Sequence, residues 1–391
     1  MRHARFLSRF IILLLISFWL AGCADSGNSG DDDNPTGRNI APPTTGDVLP
    51  PPPTGAGLYD LYGTDTQSRG TIPFAVNWPI APTTTQTLNV PGGTSLSAAL
   101  ATPNATIYVA AGSYGTFAPS ADHQEWILDD AAIFNGISVI NRNNISVTGG
   151  VINEYGGDNS LAVRSNDISY ENVRISMPNG TGILDSYNRV SFVQCTLDAS
   201  AYGLFHYRYT TNYSYDLILA GNYISGVQTN TNAVRLMGTR RVILVDNRLV
   251  SYETRPTFRS HMGSGDVWLR RNMAANSGGI LMTPEVNTFT PLETFDYMGD
   301  HWIYDFEQYT TSTSSAGLLR TSNYDPNPPL STSWPGILVG AGNRQYHDAG
   351  QFWWNAQPGD PIFDNQILAG RVAPALGSWL TTRGLPPGAD H

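Results

Sequence analysis

The chain has 391 residues, 41% hydrophobic and 11% aromatic, enough apolar material for a long core, and only 14% of it is charged. All 22 basic residues are arginine and the formal net charge is -10; this balance argues against duplex nucleic acid, whose binding needs a basic surface that releases counterions. The absence of lysine closes any mechanism built on a lysine base, and the length fits either several domains or one solenoid.

Residues 1–22 have the layout of an export signal: arginines at positions 2, 5 and 9, the apolar run Ile11-Ile12-Leu13-Leu14-Leu15-Ile16, then small residues. The apolar stretch is too short for an ordinary spanning helix. It ends in Leu20-Ala21-Gly22-Cys23, which resembles the lipobox of bacterial lipoproteins. That resemblance implies removal of residues 1–22, acylation of Cys23 and lasting attachment to a membrane, where one acyl chain alone would be marginal. The alternative is a secreted protein with an incidental cysteine at its cleavage site. Ala24 in place of an aspartate leans, by the same resemblance, towards the outer membrane of a Gram-negative envelope, with Asp25 nearby pulling the other way. Losing the three early arginines makes the mature chain more acidic still. With Cys23 acylated, Cys195 has no partner for an internal disulfide and reads as a small core residue.

Residues 23–56 contain Asp31-Asp32-Asp33 and the run Pro50 to Pro53. This composition cannot bury a core and reads as a disordered tether, stiffened by polyproline at its far end. The folded domain is expected over 57–391. Thr94-Ser-Leu-Ser-Ala-Ala-Leu predicts a short capping helix with Thr94 as N-cap.

From there the sequence is rich in glycine, asparagine, threonine and tyrosine, and short alternating segments recur: Ile145-Ser-Val147, Ile168-Ser-Tyr170, Val190-Ser-Phe192, Leu217-Ile-Leu219, Val242-Ile-Leu244 and Val267-Trp-Leu269. Each places two large apolar residues on one face, as a half-buried strand requires. Seven residues after each of the first five starts comes another apolar residue: Ile152, Ile175, Leu197, Ile224 and Leu249. Asn222, Asn247 and Asn272 stand five residues after the last three starts and are expected to stack amide to amide at equivalent turns. A third apolar segment closes each unit, as in Ile183-Leu184, Leu204-Phe205 and Val234-Arg-Leu236. A further coil is expected to begin at Phe295, with Tyr297 inward and Asp300 in the asparagine column.

Three short strands per repeat, variable loops and stacked asparagines predict an all-β right-handed parallel β-helix solenoid. The pattern resembles the pectin-lyase-like superfamily over roughly residues 90–350, and Ala105 to Tyr114 is similar to that superfamily's first coil. The resemblance implies a monomeric body acting on polysaccharide, because outward residues on successive coils form columns that can track a linear polymer. Fold alone does not fix activity. The paired aspartates of the superfamily's glycoside hydrolases and the Trp-Ile-Asp-His segment of its calcium-dependent pectate lyases are absent, which counts against both activities.

The densest polar cluster falls on the third strands: Asp185, His206, Tyr207, Arg208, Arg235, Arg259 and His261. In the catalytic reading, Arg235 or Arg259 holds a uronate carboxylate and acidifies the C5 proton, while His261 or His206 removes it in a β-elimination. Asp185, Tyr207 and Arg208 would then contact substrate. The alternative is a solvated face with arginine planes stacked on tyrosines, in a non-catalytic adhesin or glycan-binding module. Hydrolysis needs two carboxyls at suitable separation; Asp185, Asp198, Glu253 and Glu285 are available without any pair standing out. No cofactor is called for. Calcium is conceivable near Asp296, Asp300, Asp305 and Glu307, against the plainer reading of a solvated acidic face. Trp268, Trp302, Trp353 and Trp354 suit either sugar stacking or packing.

Overall fold

The computed structural model describes residue 74, residues 76–153 and, with interruptions, much of 156–309, together with short strands as far as residue 368. The export signal, Cys23 and the tether lie outside the described residues. Among the described residues the fold is a right-handed parallel β-helix. Its strands form three parallel sheets: a 12-stranded first sheet from Gln86–Val90 to Ile362–Phe363, an 11-stranded second from Gly112–Tyr114 to Gln366–Leu368, and a 9-stranded third from Ser138–Ile140 to Trp353–Trp354.

The inner core follows from register. Val147, Tyr170, Phe192, Leu219, Leu244 and Leu269 are successive partners in the first sheet, all fully buried. Ile152, Ile175, Leu197, Ile224 and Leu249 do the same in the second. Equivalent residues one coil apart lie about 4.8 Å apart, so like stacks on like. Tyr170 and Phe192, for example, lie ring on ring at 4.8 Å with 12° between planes.

Two kinds of polar ladder close the corners. At the first corner, Asn222 Nδ2 and its backbone N–H both donate to Asn247 Oδ1 (2.9 and 3.0 Å), and Asn247 repeats this on Asn272 (2.8 and 3.0 Å). Each amide also donates to a carbonyl of an earlier strand, Leu219 O for Asn247 and Leu244 O for Asn272. Cys195 heads the column, giving its N–H to Asn222 Oδ1 at 2.8 Å; burial pushes its thiol up to about 12, so it is an inert core residue, as expected. The other ladder, made of hydroxyls at the corner before the first sheet, has no counterpart in the sequence reading. Arg142 N donates to Ser165 Oγ, Tyr187 N to Ser214 Oγ and Thr239 N to Ser264 Oγ, at 3.1 to 3.2 Å.

In eight coils the residue just before the first inward residue of the first-sheet strand turns the chain through the left-handed region: Asn104, His123, Asn144, Asp167, Arg189, Asp216, Arg241 and Asp266 all have φ between 52° and 62°. Asparagine and aspartate tolerate this best. Arginine does not, and here it is held by its neighbour in the column: Arg189 grips Asp167 through two bonds and Arg241 grips Asp216 in the same way.

Three expectations need correction. The capping helix spans Leu96–Leu100 with Ser95, not Thr94, as N-cap: Ser95 Oγ accepts Ala98 N–H at 3.2 Å. Buried Gln124 finishes that helix, its amide donating to the carbonyls of Ala99, Leu100 and Thr102. The coil after Val267 starts at His301, not Phe295, so the asparagine column passes through Phe306 and resumes at Asn343, whose Oδ1 accepts Phe306 N–H. Asp300 is therefore outside that column, and Phe295 and Tyr297 lie outside the described residues. The solenoid also begins earlier than the sequence suggests, with Gln86–Val90 already paired to Ala105–Val109.

Candidate functional site

The third sheet carries the predicted polar cluster, and strand alternation sorts it. Ile183, Phe205, Arg235 and Arg259 are successive partners in one row, while their neighbours Leu184, Leu204, Val234, Leu236 and Phe258 fill the core. The row therefore faces outward. Arg235 and Arg259 come together in direct register on adjacent coils, with 6% and 8% of their surface exposed. Arg235 packs against Phe205 and Tyr202, 5.3 and 5.7 Å from the two ring centroids, and its Nη1 donates to Tyr202 Oη at 3.1 Å. Those rings stack on each other at 4.7 Å and 19°.

His206 is not on this face. It sits at an inner position, 1% exposed, with Nε2 2.8 Å from Ser214 Oγ and Nδ1 3.1 Å from Thr239 Oγ1. Both ring nitrogens are used by the hydroxyl ladder, and the edge of the ring meets Tyr187. A base must reach the proton that it abstracts, so this position leaves His206 with a packing role. His301 is a second buried histidine of the same kind, 2.9 Å from Ser260 Oγ.

Asp185 ends the strand Thr181–Asp185, two coils from Arg235. Burial raises its pKa, while a hydrogen bond from Ser186 and the charge of Arg164 oppose the shift. His261 ends the strand Pro256–His261, its backbone paired with Met237 and Thr283; its side chain lies outside the described residues. Tyr207 and Arg208 lie outside them altogether, as do Glu253, Glu285 and Asp296. Among the described residues the rings that meet Arg235 are Tyr202 and Phe205, which sequence reasoning did not single out. The signal was available, since Phe205 falls one coil before Arg235 in the same strand position.

The other candidates separate. Asp198 accepts Ser225 Oγ–H at 2.6 Å. Glu307 is buried, accepting Tyr309 Oη–H at 3.0 Å, with Arg344 3.8 Å away. Among the described residues no group of three or more His, Cys, Asp or Glu side chains is placed to hold a metal ion. Trp268 is fully buried and Trp302 half-buried; the side chains of Trp353 and Trp354 lie outside the described residues.

The remaining titratable feature is Glu171, half-buried on the outer side of the first sheet, where burial pushes its carboxyl up to about 7.

No family model matches the sequence, and no curated protein matches it. Solved structures align with parts of it. An iota-carrageenase complexed to iota-carrageenan fragments aligns over 77% of this chain and 96% of its own, at 11% identity and a TM-score of 0.44. The A-module of a mannuronan C-5 epimerase from Azotobacter vinelandii aligns over 69% and 82%, at 11% identity and 0.40. PfbA, a surface adhesin of Streptococcus pneumoniae, aligns over 67% and 82%, at 12% identity and 0.38.

Proposed function

We propose that this protein is a lipid-anchored envelope protein whose β-helix binds an acidic polysaccharide along the outer face of the third sheet. The observation that carries the reading is the registered pair Arg235 and Arg259. Two guanidinium groups one coil apart can share one anionic group through charge-assisted hydrogen bonds. Their low exposure restricts what can enter. A carboxylate or sulfate can reach in edgewise, whereas a sugar face cannot, and the Tyr202–Phe205 stack alongside offers an apolar wall for the ring that carries the anion. A polymer lying along the solenoid axis would meet the two arginines on successive coils.

The test is binding of a panel of uronate and sulfated polymers beside neutral ones, at fixed ionic strength. The wild-type protein is expected to retain an acidic polymer and no neutral one, and Arg235→Ala with Arg259→Ala to weaken retention at least about tenfold, the equivalent of about 1.4 kcal/mol. Equal binding by the double variant, or none by the wild type, rejects the site.

Cleavage by β-elimination is the second reading. It is favoured by His261, two residues beyond Arg259 on the same strand. The arginines would neutralise the uronate carboxylate, the imidazole would take the C5 proton, and the glycosidic oxygen at C4 would leave as the double bond forms. Rising ultraviolet absorbance from unsaturated ends would support it, and intact polymer after prolonged incubation would leave binding alone.

Anchoring is tested separately. Cys23→Ser is expected to move the protein from the membrane fraction to the soluble fraction; an unchanged distribution would remove the lipid anchor from this proposal.

A further inference from the structure

The outer face of the first sheet is not bare. Val193, Ala220, Ile243, Val245 and Trp268 form an apolar cluster separate from the inner core, and residues before the first strand lie across it. Phe74, Val76 and Trp78 pack on this cluster, with Phe74 5.7 Å from the ring of Trp302. Asn77 Nδ2 donates to Asp216 Oδ2 at 3.1 Å. Ile80 N–H donates to Asp167 Oδ1 at 2.8 Å, and Ile80 O accepts from Asn144 Nδ2 at 3.1 Å. Thr84 Oγ1 then meets Thr106 Oγ1 at 2.9 Å, just before the first coil.

In chain order these contacts run from the coil of Trp302 back through those of Asp216, Asp167 and Asn144 to that of Thr106. The segment is a strap laid antiparallel to the direction in which the coils accumulate.

Its attachment differs in kind from the body's. The described strap residues form no strand and pair with no sheet. Asn77 is exposed and Ile80 is 59% exposed, while Phe74, Val76 and Trp78 are half-buried. The polar anchors include single bonds to Asp167, Asp216 and Asn144, the two carboxylates being already gripped by Arg189 and Arg241. Segments with few buried contacts and exposed backbone bonds open locally, at free energies well below that of global unfolding.

The geometry points to a detachable clasp: residues 74 and 76–80 cover the apolar outer face of the first sheet when docked, and they release from it as a unit while the β-helix beneath stays folded. This goes beyond the polysaccharide reading and does not depend on it, since the clasp and Arg235 occupy different sheets.

Hydrogen exchange on the full chain tests the clasp. The Ile80 amide is expected to exchange at least about a hundredfold faster than the Asn247 amide in the asparagine ladder, corresponding to about 2.7 kcal/mol less protection. Common exchange at a single rate would make the strap part of the body and overturn the proposal. A full-length variant carrying Phe74→Ala and Trp78→Ala supplies the second measurement. Severalfold higher binding of a hydrophobic dye, with unchanged far-ultraviolet dichroism, supports a face uncovered by release. Unchanged dye binding with unchanged dichroism overturns it, and if dichroism is lost the wild-type exchange comparison still decides.

Discussion

Asn247→Ala is expected to lower stability by about 4 kcal/mol, the largest effect of any side-chain truncation considered. Asn247 is fully buried and works in three directions: it donates to Leu219 O, donates to Asn272 Oδ1, and accepts both the side-chain and backbone N–H of Asn222. Alanine removes its side-chain partners at once. The Leu219 carbonyl and the Asn222 N–H are left buried away from water, at about 1 to 3 kcal/mol for each orphaned group, and the missing amide leaves a cavity besides. Because the ladder runs from coil to coil, the damage should spread along the axis. Denaturant unfolding checks the total, and amide exchange at Asn222 and Cys195 checks the spread. A loss below about 1 kcal/mol would mean that the ladder is ornamental.

Gly226→Ala should cost about 3 kcal/mol for a reason that involves no hydrogen bond. Gly226 ends the strand Tyr223–Gly226, and a Cβ there would overlap the carbonyl oxygens of both Ala201 and Asn232. These are backbone atoms of two separate segments, so relief requires the corner itself to move rather than a side chain to rotate. Gly115 provides the control, since a Cβ added there meets nothing within 4 Å. Gly115→Ala should be neutral or slightly stabilising through the unfolded state. Equal melting temperatures for the two variants would contradict the packing at this corner.

How far the sequence could be read depended on whether a residue's neighbours were set by coil spacing or by loop length. Where coils differ by a few residues, as from Ile145 to Leu269, alternating apolar pairs fixed strands, faces and the asparagine column. Beyond Val267 an insertion before His301 broke the spacing, and counting on by the same period misplaced the next start by six residues. The hydroxyl ladder was invisible for a different reason. Serine and threonine are common on every face of this chain, so Ser165, Ser214, Thr239 and Ser264 carry no signal until register aligns them.

The site was legible in part. Arg235 and Arg259 fell into register because their strands did, but His206 was grouped with them because it falls on a third strand, which does not say which face its side chain takes. Its inner position follows from Leu204 in the core, two residues earlier. The aromatic wall was only partly legible, because Tyr202 reaches Arg235 across coils and not through any spacing along one strand.

The backward course of residues 74–80 also constrains the order of assembly. The coils can stack one by one as the chain emerges, since each needs only its predecessor. Phe74 is made before every coil, yet the ring that receives it, Trp302, belongs to a late coil. During folding the early chain must therefore wait with Phe74 and Trp78 uncovered until most of the body exists. Docking is the last step available to it, a long-range closure added to a fold otherwise built from near neighbours.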